Sequence, residues 1–332
     1  MSNKVLVTGG AGYIGSHAAK ALAQSGYEPV VLDNLARGHR EAVQWGPFIE
    51  GDLADRALLR DSLRRFEIGA VMHFAAYAYV GESMTKPELY FSNNVVNSLN
   101  LLEAMRETGV HRIVFSSTCA TYGVPETVPI REEMPQRPIN PYGESKRMVE
   151  RMLHWYGSAH GFGHMALRYF NAAGADADGE IGEHHEPETH LIPLVLDAAL
   201  SRRPHVEIFG TDYPTPDGTA IRDYIHVSDL ATAHVLALKH LEQRGASGAL
   251  NLATGRGHSV REVIAAAEHV TKRAIARRES ERRPGDPPAL VADAGRARAL
   301  LGWTPRFSDL ETIVATAWRW HSTHFAAPQA AS

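Results

Sequence analysis

Apolar positions along this chain fall into two textures. Short runs bounded by turn residues stand at 4–8, 29–33, 70–74, 112–116 and 164–169, and each is apolar on both faces. That pattern predicts buried strands of a parallel sheet covered by helices on either side. Between them lie longer stretches of helical period, among them 14–24, 87–108 and 142–160, long enough for crossovers. Strand and crossover repeated in this order predict an α/β fold built on a doubly wound, Rossmann-type parallel sheet.

After residue 173 the texture changes to Gly, Asp, His and Pro, with helical periods at 192–201 and 228–241 and one more short apolar run at 249–252. The pattern predicts a first domain over 1–173 and a smaller, interleaved C-terminal α/β domain over 174–325. The 249–252 run is expected to return to the first sheet.

Length and composition narrow the class. With 332 residues, 44% hydrophobic and 22% charged, the chain is globular and longer than one average domain. A formal charge of -4 gives no electrostatic reason to expect nucleic acid, so small molecules are the expected partners. The lone cysteine, Cys119, cannot close an internal disulfide, which fits a reducing compartment and makes the cytoplasm the expected location. No apolar run of about eighteen residues predicts a membrane span, and the amino-terminal run is too short for a signal core. The tail from Ala326 reads as a frayed end.

The run at 4–8 leads directly into Gly9-Gly10-Ala11-Gly12-Tyr13-Ile14-Gly15 and then an Ala-rich helical stretch. Strand, glycine turn and helix in that order let the backbone approach a pyrophosphate closely, and a helix amino end offers it unpaired N–H groups. A P-loop would need Lys-Ser/Thr after the last glycine, where Ser16-His17 stands. The second run ends at Asp33-Asn34, where a carboxylate can accept both hydroxyls of an adenosine ribose and would repel a 2'-phosphate. This favours NAD over NADP, although Arg37 and Arg40 stand close enough to soften the preference.

Tyr142-Gly143-Glu144-Ser145-Lys146 follows Pro141, a good first-turn residue, and places Tyr142 and Lys146 one helical turn apart. The expectation is an ammonium that stabilises the ionised phenol, giving a proton carrier. Phe115-Ser116-Ser117-Thr118 closes a predicted strand, and ligands gather beyond such carboxyl ends. A hydroxyl from Thr118, a phenol and a lysine make a set for taking a proton from an alcohol while its hydride leaves.

These segments, with Asp33-Asn34-Leu35, His73-Phe74-Ala75-Ala76 and Ser116 to Gly123, resemble the extended short-chain dehydrogenase/reductases. Arg168-Tyr169-Phe170-Asn171, Arg222 to Val227 and Arg282-Arg283-Pro284-Gly285-Asp286 extend the resemblance to the UDP-glucose 4-epimerases of that family over nearly the whole chain. The resemblance implies that Gly9, Gly12, Tyr13, Ile14, Gly15, Asp33, Asn34, Asp52, Leu53, Phe74, Ala75, Ala76, Asn93, Ser116, Tyr142, Lys146 and Phe170 hold a tightly bound NAD. It implies a UDP-sugar held by Thr118, Asn171, His190, Leu191, Phe209, Arg222, Tyr224, Arg283, Asp286 and Leu290, and a homodimer joined through the helical stretches 87–108 and 142–160.

Two residues within the motifs refine the chemistry. Dehydratases of this superfamily carry an Asp-Glu pair after the threonine, and this chain has Cys119-Ala120, so elimination across the sugar lacks its extra acid and base. Epimerisation at C4 needs neither. Ala78 replaces a lysine that some members place near the nicotinamide. Leu290 is intermediate between the large and small residues that exclude or admit N-acetyl sugars. The stretch from His73 to Ser83 also resembles UDP-arabinose/UDP-xylose epimerases. The expected reaction is interconversion of UDP-glucose and UDP-galactose, with UDP-pentose and UDP-N-acetylglucosamine epimerisation as alternatives and a non-catalytic NAD-binding protein as a remote one. No metal is expected: in Glu183-His184-His185-Glu186-Pro187-Glu188-Thr189-His190, the histidines at 185 and 190 are spaced wrongly for one helix face and Pro187 disfavours a helix.

Overall fold

The computed structural model describes residues 2–283, 286–307 and 309–325. Pro284 and Gly285 of the arginine motif, and the tail read as frayed, lie outside them.

Thirteen strands are present: β1 (Lys4–Thr8), β2 (Glu28–Asp33), β3 (Phe48–Glu50), β4 (Ala70–His73), β5 (Arg112–Ser116), β6 (Gly163–Tyr169), β7 (Asn171–Ala173), β8 (Val206–Phe209), β9 (Ile221–His226), β10 (Gly248–Leu252), β11 (Gly257–Ser259), β12 (Arg277–Ser280) and β13 (Ala289–Leu290). Seven of them form one parallel sheet in the order β10-β6-β5-β4-β1-β2-β3. The chain winds from β1 outward to β3, returns to β4 on the other side of β1, and continues to β6. This is the doubly wound Rossmann-type arrangement, with its switch point between β1 and β4.

The sheet is apolar on both faces because successive side chains serve opposite helix layers. On β1, Val5 and Val7 enter the core that also holds Ala18 and Leu22 of α1 (Tyr13–Gln24), while Leu6 enters the opposite core with Leu59, Leu63, Leu101 and Leu153. That second layer comprises α2 (Arg56–Arg65) and, after the short helices α3 (Val80–Thr85) and α4 (Pro87–Tyr90), α5 (Asn97–Thr108) and α6 (Pro141–His160). The continuous helix expected over 87–108 is interrupted by a π-helical turn at Phe91–Val96. Asn94 in that turn donates to Tyr77 O and Ser145 Oγ, both at 3.0 Å, so an extra residue per turn lets its amide link two segments of the site.

The second lobe adds α7 (Leu191–Ala199), α8 (Val227–Glu242), α9 (Val260–Thr271), α10 (Gly295–Leu301) and α11 (Leu310–His324). Helix α8 packs beside α1 on the large sheet, whereas α7, α9 and α11 enclose a third core. β9 pairs with β7, β11 and β13 in a small mixed sheet, and β8 pairs with β12. β10 joins the large sheet against β6, with Ala249 opposite Ala166. The two lobes are therefore threaded through each other, and a cleft forms where the carboxyl ends of the parallel strands face the second lobe.

Candidate active site

The cleft has a volume of about 1550 Å³, and every residue singled out in the sequence as a site residue lines it. The sheet places one group at its ends. The second lobe supplies the other.

The glycine turn packs so closely that side chains are excluded. Gly9 has φ +73°, and a Cβ there would lie 2.5 Å from Ala75 N; one at Gly15 would lie 2.2 Å from Gly9 O. No side chain caps α1 at Gly12, and its first turn carries no acidic residue, so the positive end of the helix is left to the cleft. Asp33, at the end of β2, accepts from Ala11 N at 3.0 Å and Leu35 N at 2.9 Å, which fixes its carboxylate. Burial raises its pKa, against the N–H donors that lower it. Asn34 donates to Asp52 at 2.6 Å, joining two residues assigned to the adenosine side.

Neither nearby arginine is unengaged. Arg37 donates to both carboxylate oxygens of Glu82 at 3.1 Å and to Glu186 O at 3.2 Å, with its guanidinium over the rings of Tyr77 and Tyr79. Arg40 pairs with Glu50 at 3.3 Å and lies over Phe48. The softening of the NAD preference expected from these two cations has no support in this geometry. An adenine dinucleotide fits the cradle: a pyrophosphate against the glycines and the α1 terminus, a ribose at Asp33, and an apolar wall from Leu53 and Phe74 to Ala76.

At the reacting end, Asn140 caps α6 by accepting from Gly143 N at 2.8 Å, with Pro141 in the first turn. This presents Tyr142 and Lys146 on one face. Burial pushes the phenol's pKa up to about 12, with the neighbouring Thr118 hydroxyl acting in the lowering direction. Lys146 Nζ donates to Ser116 O at 2.8 Å and lies 4.9 Å from the Phe115 ring centroid. Burial brings its pKa down to about 7, against the Glu150 carboxylate, which raises it. The expected lowering of the phenol by an adjacent ammonium is thus not what the geometry of this site displays. Both groups are dry, and desolvation opposes either charge.

Several contributors were not singled out in the sequence. Tyr169 OH and Ser116 Oγ are 2.5 Å apart beside the reacting pair. Beneath them Arg168 and Glu150 form a buried pair at 2.5 Å, and Glu150 also accepts from Ser117 Oγ at 2.5 Å. The i, i+4 spacing of Lys146 and Glu150 was the available signal.

On the opposite wall, Arg222 pairs with Asp286 and donates to Ile221 O at 2.8 Å and Pro287 O at 3.0 Å. A guanidinium has five N–H groups, so this anchoring leaves donors for a diphosphate. Arg283 lies over Phe209, 4.0 Å from its ring centroid. Asn171 donates to Asp223 O at 3.4 Å, and Tyr224 and Leu290 project from paired strands β9 and β13. His190 stands at the N-cap position of α7 without a side-chain capping bond; Glu183 and Glu188 outweigh its burial, raising its pKa to about 10. The spacing objection to a cluster at 183–190 assumed a helix. The segment is a loop instead, and it brings Glu183, His185, Glu188 and His190 together.

A glycine cradle at a topological switch point, continuous with a tyrosine, lysine and threonine set, defines a class of nicotinamide-dependent sugar-nucleotide enzyme. The chain belongs to the NAD dependent epimerase/dehydratase family, whose model matches residues 5–253. It is 53% identical over 321 residues to the UDP-glucose 4-epimerase of Rhizobium meliloti (strain 1021), covering 97% of this chain and 98% of that one. The UDP-glucose 4-epimerase of Brucella ovis in complex with NAD superposes with a TM-score of 0.95 at 53% identity, over 98% of this chain and 99% of that one. The corresponding enzyme of Stenotrophomonas maltophila, solved with NAD and formylated UDP-arabinopyranose, superposes with a TM-score of 0.94 at 41% identity, over 98% and 99%. Among the described residues no helix is long and apolar enough to cross a membrane.

Proposed function

We propose that this chain is an epimerase that interconverts UDP-glucose and UDP-galactose through a transient 4-keto sugar. The observation that carries the proposal is the neighbouring Tyr142 phenol and Thr118 hydroxyl, set between the glycine cradle and the Arg222 wall of one cleft. Bound NAD supplies a hydride acceptor at C4 and gives the hydride back. Tyr142 takes the proton of the 4-hydroxyl and later returns it, Thr118 orients that hydroxyl, and Lys146 holds charge beneath the phenol. Arg222 and Arg283 hold the diphosphate, with Asn171, His190, Leu191, Phe209, Tyr224 and Asp286 around the remaining nucleotide and Leu290 at the sugar. A keto sugar still held by its diphosphate can turn its other face to the cofactor.

Cys119 supports epimerisation over dehydration. It is buried, and burial pushes its thiol well above the ordinary range, so it offers no acid or base at neutral pH. We assign residues 1–173 to NAD binding and 174–325 to the sugar nucleotide. A cytoplasmic homodimer completes the proposal. Val96, Leu99, Met148 and Trp155, exposed on the 91–108 segment and α6, support a helical interface between two copies.

The test is incubation of purified protein with UDP-glucose, UDP-galactose, UDP-xylose and UDP-N-acetylglucosamine, without added NAD, followed by chromatography. Equilibration of the first two is expected. Accumulation of a keto sugar with stoichiometric NADH, or no turnover on any of them, refutes the proposal.

A further inference from the structure

The loop before α7 gathers a donor set of which the proposed nucleotide contacts use only His190. Glu183, His185, Glu188 and His190 each offer one ligand atom, and the four lie within 4.8 Å of one another. His185 Nδ1 is 3.3 Å from Glu183 Oε1 and 3.4 Å from Glu188 Oε2; His190 Nδ1 is 3.0 Å from Glu183 Oε1 and 2.9 Å from Glu188 Oε1. Ligands about 2.0–2.1 Å from a tetrahedral zinc ion are separated from each other by roughly 3.3 Å, which the two His185 spacings match and the two His190 spacings undercut, with Glu188 facing the two histidines through different oxygens.

Burial points the same way for three of the four. The Glu183 side chain is 7% exposed, Glu188 13% and His185 18%, while His190, at 40%, stands at the cleft. His185 Nδ1 is buried without a hydrogen-bond partner, although two carboxylates stand near it. His190 Nδ1 is hydrogen-bonded to Glu188 Oε1 at 2.9 Å, a pairing that a shared ion would replace.

We propose that Glu183, His185, Glu188 and His190 form a site for one divalent transition-metal ion of the zinc class. Two imidazoles select such an ion over calcium or magnesium, which prefer oxygen alone, and two carboxylates neutralise its charge. Four protein ligands close the shell, so the ion is structural. It pins the 183–190 loop beneath the rings of Tyr13 and Tyr79, which lie 6.2 and 6.1 Å from that of His185, and so fixes the cleft wall leading to Leu191.

A competing group is His39, Glu41 and His184, also within 4.8 Å of one another. His39 Nε2 there contacts His184 O at 3.1 Å and the two rings stack at 3.9 Å, so the nitrogens are not directed at a common point.

The test uses the full-length protein, stripped with a chelator and titrated with Zn²⁺ and Co²⁺. Expected are one ion per chain by calorimetry, intense visible Co²⁺ bands of a tetrahedral site, and a higher melting temperature with Zn²⁺. Glu183→Gln and His185→Gln should each weaken binding by more than the 10–100-fold that loss of an outer-sphere partner costs, while His39→Gln leaves it unchanged. Weak octahedral Co²⁺ bands in the wild type, no binding, or binding lost in His39→Gln and kept in His185→Gln overturns the proposal. The wild-type spectrum decides even if a variant fails to fold.

Discussion

Lys146 Nζ donates to the carbonyl oxygen of Ser116 at 2.8 Å, tying the second turn of α6 to the end of β5. The bond fixes the amine below the phenol while burial brings its pKa down to about 7. In the cofactor-free chain, an NMR titration of this lysine should therefore show a midpoint near 7, with the amine charged below it and neutral above. A midpoint in the ordinary lysine range would show that the site is wet. Lys146→Ala should lower turnover by about 100-fold or more, with the fold retained.

Tyr142 and Thr118 act as a pair. Tyr142→Phe removes the proton carrier but little volume, so bound NAD should persist while kcat falls by roughly 100–10,000-fold. Thr118→Val removes the hydroxyl that acts to lower the phenol's pKa and would orient the sugar hydroxyl, and a loss of about tenfold in kcat is expected from one hydrogen bond to substrate. Steady-state rates alongside the cofactor content of the purified variants check both. Near-native turnover of Tyr142→Phe would exclude the phenol from the reaction.

Gly15→Ala should empty the cofactor site. The added methyl would stand 2.2 Å from Gly9 O, and backbone on both sides leaves it nowhere to move. The expected result is protein purified without NAD and several degrees less stable, read by released nucleotide and by melting. A variant that copurifies with a full complement of NAD contradicts this account of the turn.

Acid should unfold the chain through its buried histidines. Burial pushes His17 and His234 down to about 4 and His73 to about 3, from 6.5. Between about 6.5 and 4, and on to about 3 for His73, the unfolded chain binds protons that the folded chain refuses, so stability falls as the pH drops through that window and the histidine contribution levels off below it. At pH 5 the loss is on the order of 2 kcal/mol per imidazole. Denaturant titrations at neutral pH and at pH 5 measure the difference, and His234→Gln should shrink it whatever its effect at neutral pH.

The large sheet was legible because burial on both faces leaves the middles of runs such as 4–8 and 112–116 apolar, and the glycine turn and Tyr142 to Lys146 announce their chemistry by local spacing. The small sheet was not. β13 has two residues, β7 and β11 three each, and β9 pairs with partners distant in sequence, so no local period marks them. β3 was missed because Phe48 and Ile49 are only partly buried at the sheet edge. The direction of the Lys146 and Tyr142 shifts depends on burial that helical spacing alone does not reveal. The gathering of Glu183, His185, Glu188 and His190 was not legible because it depends on the path of a loop around Pro187, which no helical spacing reveals.

The placement of β10 bears on how the protein is made. A ribosome that has released only the first 173 residues has produced β6 paired with β5 on one side alone, with an open backbone edge on the other and an apolar face not yet covered by α8: Met165 and Leu167 are fully buried once the fold is complete. Some eighty further residues must emerge before Gly248–Leu252 can cover it, several seconds at ordinary translation rates. Nascent chains halted between these points should be sticky and protease-sensitive, and the nucleotide-binding half expressed alone should aggregate, although it carries the entire glycine cradle.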